Sequence, residues 1–185
     1  MGAPVNPSFR QESFRFRNDD GNQTTATWIA AANTNVTSKP YVIVRLRVLV
    51  QQTVSNANTS LARTFKLRYS LNGAAYTDVG AQGVETEPVR MADSPNVADD
   101  QATTQQLGTG SFVAGDIEEN NSAAITFTSG ALSETEIEFV IQLYGGRINN
   151  SDTLDFRVYE TDNTLLAAYT VTPRLTRRRR LRVLG

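Results

Sequence analysis

Apolar and polar residues alternate along several short segments of the chain, which is the pattern of β-strands with one buried face. The first such segment places Phe14 and Phe16 on one face, and Arg15 and Arg17 on the other. The same alternation, with charged residues such as Arg45, Arg47, Glu136 and Glu138 on the polar face, recurs in four longer segments: 41–52, 64–71, 134–144 and 154–159.

Turn-forming residues separate these segments. Asn72 and Gly73 tolerate the positive φ angles of a type I′ turn, so they predict a tight hairpin between 64–71 and a strand at 74–79. Long polar stretches predict loops at 92–110 and 115–121. Shorter strands are expected at 24–29 around Trp28, 88–91, 111–114, 123–128 and 165–172, where Pro173 ends the last one.

These elements predict an all-β fold of about eight to ten short strands, arranged as an antiparallel β-sandwich or a jelly roll. No segment has a convincing helical pattern. We place the β-sandwich domain at 13–172, between an extended N-terminal arm at 1–12 and a basic C-terminal tail at 173–185.

Two residue types that serve catalysis and metal binding are missing, since the chain has no cysteine and no histidine. Their absence excludes disulfides, thiolate zinc sites, Ser-His-Asp triads and cysteine nucleophiles. The start of the chain has no signal-peptide pattern, and no run of about 18 apolar residues predicts a membrane span. We therefore expect a protein that is not an enzyme, with no catalytic residue, no cofactor, no metal and no membrane partner.

Two groups of acidic residues are the remaining candidates for chemistry. Asp19 and Asp20 begin a fragment of a calcium-loop pattern, but the spaced ligands of an EF-hand are missing, so turn formation explains them better. The second group could serve glycoside hydrolysis, could be solvated loop charge, or could dock a basic surface such as the arginine tail of a neighbouring copy. Solvated charge is favoured for this group, which comprises Asp99, Asp100, Asp116, Glu118 and Glu119.

Three aromatic residues, Trp28, Tyr76 and Tyr144, could stack on sugars or bases. Dispersed aromatic residues in a β protein more often fill the core, and we favour that position for Trp28. A carbohydrate-binding module would need coplanar exposed rings on one sheet face, whereas most aromatic residues here alternate into the predicted core.

The charge of the chain is divided between its body and its C-terminal tail. Residues 173–185 contain six arginines and no acid, which leaves 12 basic against 19 acidic residues, or a net charge of −7, in the rest. Such a tail could neutralise phosphates of a nucleic acid, serve as an address signal, or pair with carboxylates of an acidic protein surface. The negative body argues against nucleic acid. The candidate partner-binding residues are Arg174, Arg177, Arg178, Arg179, Arg180 and Arg182 in the tail, and Phe9 in the arm.

Several motifs resemble structural proteins of tailed bacteriophages. The resemblance begins with FRFRNDDG at 14–21, ATWIA at 26–30 and Asn33, and continues with the two following strands. It covers residues 13–113, without the arginine tail. The downstream motifs are RLR at 45–47, FKLRYSLNG at 65–73 and TTQQLG at 103–108.

The resemblance implies a component of a virion. We expect a capsid decoration (cement) protein, located on the outer surface of the shell, whose body and two ends bind the major capsid protein and neighbouring copies of itself. A homo-oligomer is expected, with a trimer favoured. Two alternatives stay open at this point: a tail, neck or head-fibre component, and a carbohydrate-binding β-sandwich module.

Overall fold

Strands supply the regular secondary structure in residues 8–54, 61–127 and 132–178, which are the residues that the computed structural model describes. These ranges contain no helix that could cross a lipid bilayer. The strands are β1 (Phe9–Asn18), β2 (Val36–Ser38), β3 (Ile43–Gln52), β4 (Leu61–Leu71), β5 (Thr77–Asp78), β6 (Val89–Met91), β7 (Gln101–Ala102), β8 (Ser111–Glu118), β9 (Ala123–Phe127), β10 (Ser133–Leu143), β11 (Thr153–Glu160), β12 (Ala168–Tyr169) and β13 (Arg174–Arg177).

The strands form two sheets that pack face to face. The first sheet has the order β12-β1-β3-β10-β8-β7, and β6 also pairs with β10. The second has the order β2-β13-β11-β4-β5, and β9 also pairs with β4. Both sheets are mixed, because β1–β12, β8–β10 and β2–β13 are parallel pairs. The predicted all-β sandwich is confirmed, with parallel pairs added to the expected antiparallel ones.

The core lies between the two sheets and uses the faces that the alternation predicts. Burial of these apolar side chains supplies the main driving force for folding. An aromatic cluster closes one part of the core, with Phe9 packed on Phe65 and Phe127 at centroid distances of 5.4 and 4.8 Å. Other buried side chains are Phe14, Phe16, Leu46 and Val48 from the first sheet, and Leu67, Phe156 and Val158 from the second.

The predicted hairpin at Asn72-Gly73 is confirmed. Both residues have positive φ angles, 51° and 81°, and the amide of Ala74 donates to the carbonyl of Leu71 at 3.0 Å. These angles match a type I′ turn, whose twist suits the two strands that it joins. The turn brings β5 back alongside β4.

Replacement of Gly73 by alanine should therefore lower the free energy of unfolding by about 1 kcal/mol, because an L side chain is disfavoured at this positive φ. A Cβ at this position would meet no atom within 4 Å, so the loss would be conformational rather than steric. Urea denaturation measures it, and Gly73→Asn, which adds a side chain that tolerates a positive φ at the same uncrowded position, is the control with a smaller expected loss. Equal stability of G73A and the parent chain would contradict the turn assignment.

The strand predicted at 24–29 is wrong. This segment is a loop that folds back over β1, and only Trp28 forms an isolated bridge, with Arg17. The Asp20 carboxylate accepts from the amide of Thr27 at 2.8 Å, and the Asn22 side chain accepts from the amides of Thr24 and Thr25. These side chains compete with sheet pairing for the backbone donors, which is why the segment turns instead of extending.

Both ends of the predicted domain also need correction. Residues 9–12, which we assigned to the arm, belong to β1. Of the segment 165–172, only Ala168–Tyr169 is a strand, and β13 begins directly after Pro173. Pro173 lies where the chain crosses from the first sheet to the second, and its carbonyl still accepts from the amide of Phe156 at 2.9 Å. A proline is compatible with this position because no ladder donor is required of it.

Candidate functional site

The outer face of the first sheet carries a network of charged residues that is buried rather than solvated. Arg45, Arg47, Glu136 and Glu138 are fully buried, and Arg17 is 1% exposed. The alternation assigned these residues to a polar face, but it contained no information on what covers that face. The network is completed by Asp19, whose carboxylate lies 3.4 Å from Arg45 Nε.

Glu138 is the centre of this network. Its Oε1 lies 3.1 Å from Arg45 Nη1, and its Oε2 lies 2.6 Å from Arg47 Nε and 3.7 Å from Arg17 Nε. Arg17 and Arg45 are direct neighbours across β1 and β3, where two like charges would repel each other. Glu138 on β10 offsets that repulsion. Burial lowers the pKa of Arg17 to about 10, so its guanidinium keeps its proton at neutral pH.

Two loops cover the network and form hydrogen bonds with several of its side chains. Glu136 Oε1 accepts from three consecutive amides, those of Gln106, Leu107 and Gly108, at 2.6–3.0 Å. Arg47 Nη1 donates to the carbonyl of Thr104 at 2.7 Å, and Arg45 Nη2 to that of Gly21 at 2.6 Å. The loops at 18–30 and 92–110, the second of which is interrupted by the short strand β7 that we had not predicted, are thus fixed to the sheet by charge-assisted bonds, which are stronger than neutral ones.

Acidic residues form a second cluster at the end of β8. The pairing of β7 with β8 places the turn at Asp99 and Asp100 beside Glu118, and one carboxylate oxygen of each residue lies within 4.8 Å of the others. Asp99 and Asp100 are exposed, whereas Glu118 is fully buried. The interpretation as solvated loop charge is therefore wrong for Glu118, and also for Glu119, which is 5% exposed. The segment predicted as an acidic loop begins within β8.

The environment of Glu118 disfavours a negative charge. Burial raises the pKa of Glu118 to about 7, and the nearby carboxylates of Asp99, Asp100 and Asp116 act in the same direction. The amide of Ser122, which donates to Glu118 Oε2 at 2.7 Å, acts in the opposite direction. Burial also raises the pKa of Asp116.

Arginine side chains lie over the rings of Trp28, Tyr76 and Tyr169. Trp28 is half-buried outside the core, which corrects our expectation, and its ring contacts the guanidinium groups of Arg15 and Arg17 at 4.4 and 3.7 Å. On the outer face of the second sheet, Arg157 lies over the rings of Tyr76 and Tyr169 at 4.7 and 4.5 Å. These are cation–π contacts, and each occupies a ring face that a sugar would need for stacking.

The predicted partner-binding residues lie in different environments in the structure. Phe9 is 1% exposed in the core, so it is not available to a partner. Arg174 forms a forked pair with Asp155 at 2.6 and 2.9 Å, and Arg177 is half-buried in β13. Arg178 is exposed, and its amide donates to the carbonyl of Ser38 at 2.7 Å. Arg179, Arg180 and Arg182 lie outside the described residues.

Sequence reasoning missed an exposed surface next to Arg178. Tyr41 and Val42 are 50% and 45% exposed, and Lys39, which precedes them in the chain, is exposed as well. We call Lys39, Tyr41, Val42 and Arg178 the basic-aromatic corner. We assigned Tyr41 and Val42 to the start of the alternating segment 41–52, but β3 begins only at Ile43, and no signal in the sequence indicated that these two residues are exposed.

Tyr41 is held in an uncommon conformation at this corner. Its φ angle is 63°, its amide donates to the carbonyl of Leu143 at 2.9 Å, and its ring packs edge-on against Tyr144 at 5.7 Å. A positive φ in a bulky residue persists only where the surrounding contacts impose it. The corner is therefore a pre-formed surface that holds an exposed aromatic ring, two positions after Lys39 and three after Ser38, the backbone partner of Arg178.

Comparison with known proteins adds no identification. No protein-family model matches the chain, and no curated protein or solved structure is significantly similar to it.

Proposed function

We propose that the chain is a structural protein of a tailed-bacteriophage virion, and that it binds the outer shell of the capsid as a decoration protein. The observation that carries the proposal is the basic-aromatic corner, where Tyr41 and Val42 are exposed and follow closely in the chain after Ser38, whose carbonyl accepts from the amide of Arg178. The sequence resemblance to phage structural proteins gives the proposal its biological setting.

The chemistry of the corner matches that of protein interfaces. Tyrosine and arginine are enriched among the residues that dominate binding energy, and an apolar anchor surrounded by charge is the usual arrangement. Ser38, which bonds to Arg178, is three residues from Tyr41, so the anchor and the start of the arginine segment are joined by at most about 11 Å of chain. A shell subunit with an acidic rim and an apolar pocket is the partner that fits.

The proposed mechanism is mechanical stabilisation. A protein that binds only the assembled, expanded shell stabilises that shell by mass action. Several copies bound around a symmetry axis, with contacts to each other and to the major capsid protein, increase the effect through multivalency. A trimer is the assembly that we propose, because it would suit a local three-fold axis of the shell.

The rigid body of the protein supports such a role. The charged network fixes both covering loops to the first sheet, so the molecule presents a surface of constant shape. A carbohydrate-binding module has less support, because guanidinium groups lie over the faces of Tyr76, Tyr159 and Tyr169.

Binding to purified expanded capsids of the cognate phage tests the proposal. The intact chain should sediment with the capsids and raise the temperature at which they open. Val42→Asp should weaken binding about tenfold or more, because it removes an apolar contact and adds a charge that an acidic partner repels. Leu165→Asp is the matched control, since Leu165 is 55% exposed at a different site, and it should bind like the parent chain.

The contribution of the arginine segment needs a truncation that leaves the sheet intact. Because β13 ends at Arg177, the chain should be cut after Arg178 rather than at residue 173. A full-length chain with Arg179, Arg180 and Arg182 changed to glutamine separates the charge from the length of the segment. Capture by tails or necks instead of capsids would support the alternative virion position, and capture by neither would overturn the proposal.

A further inference from the structure

We propose that Asp99, Asp100 and Glu118 form a calcium-binding site that fastens the covering loop at 92–110 to the end of β8. The three residues come from two segments that the sheet brings together. The amide of Asp100 donates to the carbonyl of Ile117 at 2.9 Å, which sets the turn directly beside the last residues of β8. One carboxylate oxygen of each residue then lies within 4.8 Å of the others.

An unpartnered carboxylate oxygen on Glu118 points to a missing ligand. Glu118 is fully buried, and its Oε1 has no hydrogen-bond partner among the described residues, while its Oε2 accepts from Ser122. A buried carboxylate oxygen without a partner is costly, because burial removes the water that would otherwise solvate it. A cation bound to that carboxylate would replace the lost solvation.

The surrounding charges require the same ligand. Five acidic side chains lie around this turn, and none of them forms a salt bridge within the described ranges 8–54, 61–127 and 132–178. By contrast, Glu136 and Glu138, the fully buried carboxylates of β10, each pair with an arginine. The five are Asp99, Asp100, Asp116, Glu118 and Glu119.

The geometry and donor type favour calcium over other cations. Carboxylate oxygens are hard ligands, which excludes the thiophilic metals as a first choice. Ca²⁺ binds oxygen at about 2.3–2.6 Å in flexible geometry, so opposite ligands are up to about 5 Å apart, whereas Mg²⁺ requires a near-ideal octahedron at about 2.0–2.1 Å. The exposed side of Asp99 and Asp100 leaves room for water ligands.

Asp99 is already oriented for this role. Its Oδ1 accepts from the amide of Glu119 at 2.8 Å, and its Oδ2 accepts from Asn120 Nδ2 at 2.6 Å. These bonds hold the carboxylate on the side of β8 where Glu118 lies. The inference revises our expectation from sequence that the chain has no metal site, and it is independent of the proposed function.

Thermal unfolding of the full chain in metal-free buffer, with CaCl₂ added up to about 10 mM, tests the site, because open calcium sites bind with Kd of about 10⁻⁴–10⁻³ M. For a Kd of about 10⁻⁴ M, 10 mM calcium is about a hundredfold above Kd and Tm should rise by about 5 °C or more, whereas for a Kd of about 10⁻³ M the rise should be about half as large. NaCl at matched ionic strength should give a much smaller rise. An equal rise with NaCl would mean charge screening alone and would overturn the site, and an equal rise with MgCl₂ would overturn the choice of calcium.

Two variants give the site a specific signature. Glu118→Gln should raise Tm in chelator, since it removes a buried charge, and should abolish the response to calcium. Asp100→Asn, at an exposed position where folding is not at risk, should reduce the calcium affinity about tenfold or more in equilibrium dialysis. Asp78→Asn, at an exposed acid on the second sheet, is the control and should keep the full response. A calcium response that persists in both site variants would contradict the proposal.

Discussion

Replacement of Glu138 by glutamine should lower the free energy of unfolding by about 3–5 kcal/mol, because it leaves buried guanidinium groups without their counter-charge. Glu138 is fully buried and within 3.7 Å of Arg17, Arg45 and Arg47. Glutamine keeps the shape of the side chain, so packing is preserved and the loss reports the charge. Denaturation in guanidinium chloride would screen surface pairs, so urea is the appropriate denaturant.

The control for this effect is an ion pair at the surface. Asp78, whose side chain is 52% exposed, pairs with Lys66 and Arg68. Asp78→Asn should cost less than about 1 kcal/mol, because solvent screens exposed pairs. A double-mutant cycle between Arg47→Gln and Glu138→Gln should give a coupling of about 1–3 kcal/mol. Equal losses for E138Q and D78N would contradict a buried network.

Replacement of Phe9 by alanine should cost about 3–5 kcal/mol, because it removes a ring from the core and leaves a cavity between the sheets. Phe9 is 1% exposed and packs on Phe65 and Phe127. A loss of this size is expected if Phe9 lies in the core, as in the structure. It is not expected if Phe9 lies in an arm that binds a partner, as we predicted from the sequence. Urea denaturation of the isolated chain measures the loss, and no partner is present to account for it.

Leu165→Ala is the matched control, since this apolar side chain is 55% exposed and its removal should cost less than about 0.5 kcal/mol. An F9A chain as stable as the parent, but impaired in capsid binding, would restore the arm interpretation. A less stable F9A chain whose folded fraction still binds capsids like the parent would support the core position.

The alternation of residues was sufficient to predict the inner faces of the sheets. A strand has a period of two, so a run such as 44–50 can bury its apolar set in only one orientation. Val44, Leu46, Val48 and Val50 are all buried, as are their neighbours on β10. The Asn72-Gly73 turn was predictable for a similar local reason, because few residue pairs tolerate positive φ at two successive positions.

The same pattern could not show that the opposite face is buried as well. Arg45, Arg47, Glu136 and Glu138 look like a solvated face as long as the strands are considered one at a time. Their register places Arg47 directly opposite Glu138, and the loops at 18–30 and 92–110 then exclude water from them. The opposite charges on β3 and β10 indicated that these two strands could pair. The covering loops have no hydrophobic periodicity, so their position could not be predicted.

The acidic cluster and the basic-aromatic corner could not be predicted from the sequence for a similar reason. Asp99 and Glu118 are 19 positions apart, and only the pairing of β7 with β8 brings them together. Tyr41 is exposed because Leu143 and Tyr144, at the end of the distant strand β10, hold its backbone and ring in place. Neither site has a local motif.

The sequence alone therefore determined the all-β class, the inward face of each main strand and the tight hairpin, because these depend on the alternation and φ preferences of neighbouring residues. The tertiary structure decided which charges are buried, which acids meet, where the last strand pairs and which apolar residues stay exposed. Those features depend on contacts between segments far apart in the chain. Their free energies come from desolvation and charge pairing, which exist only after the sheets and loops have packed.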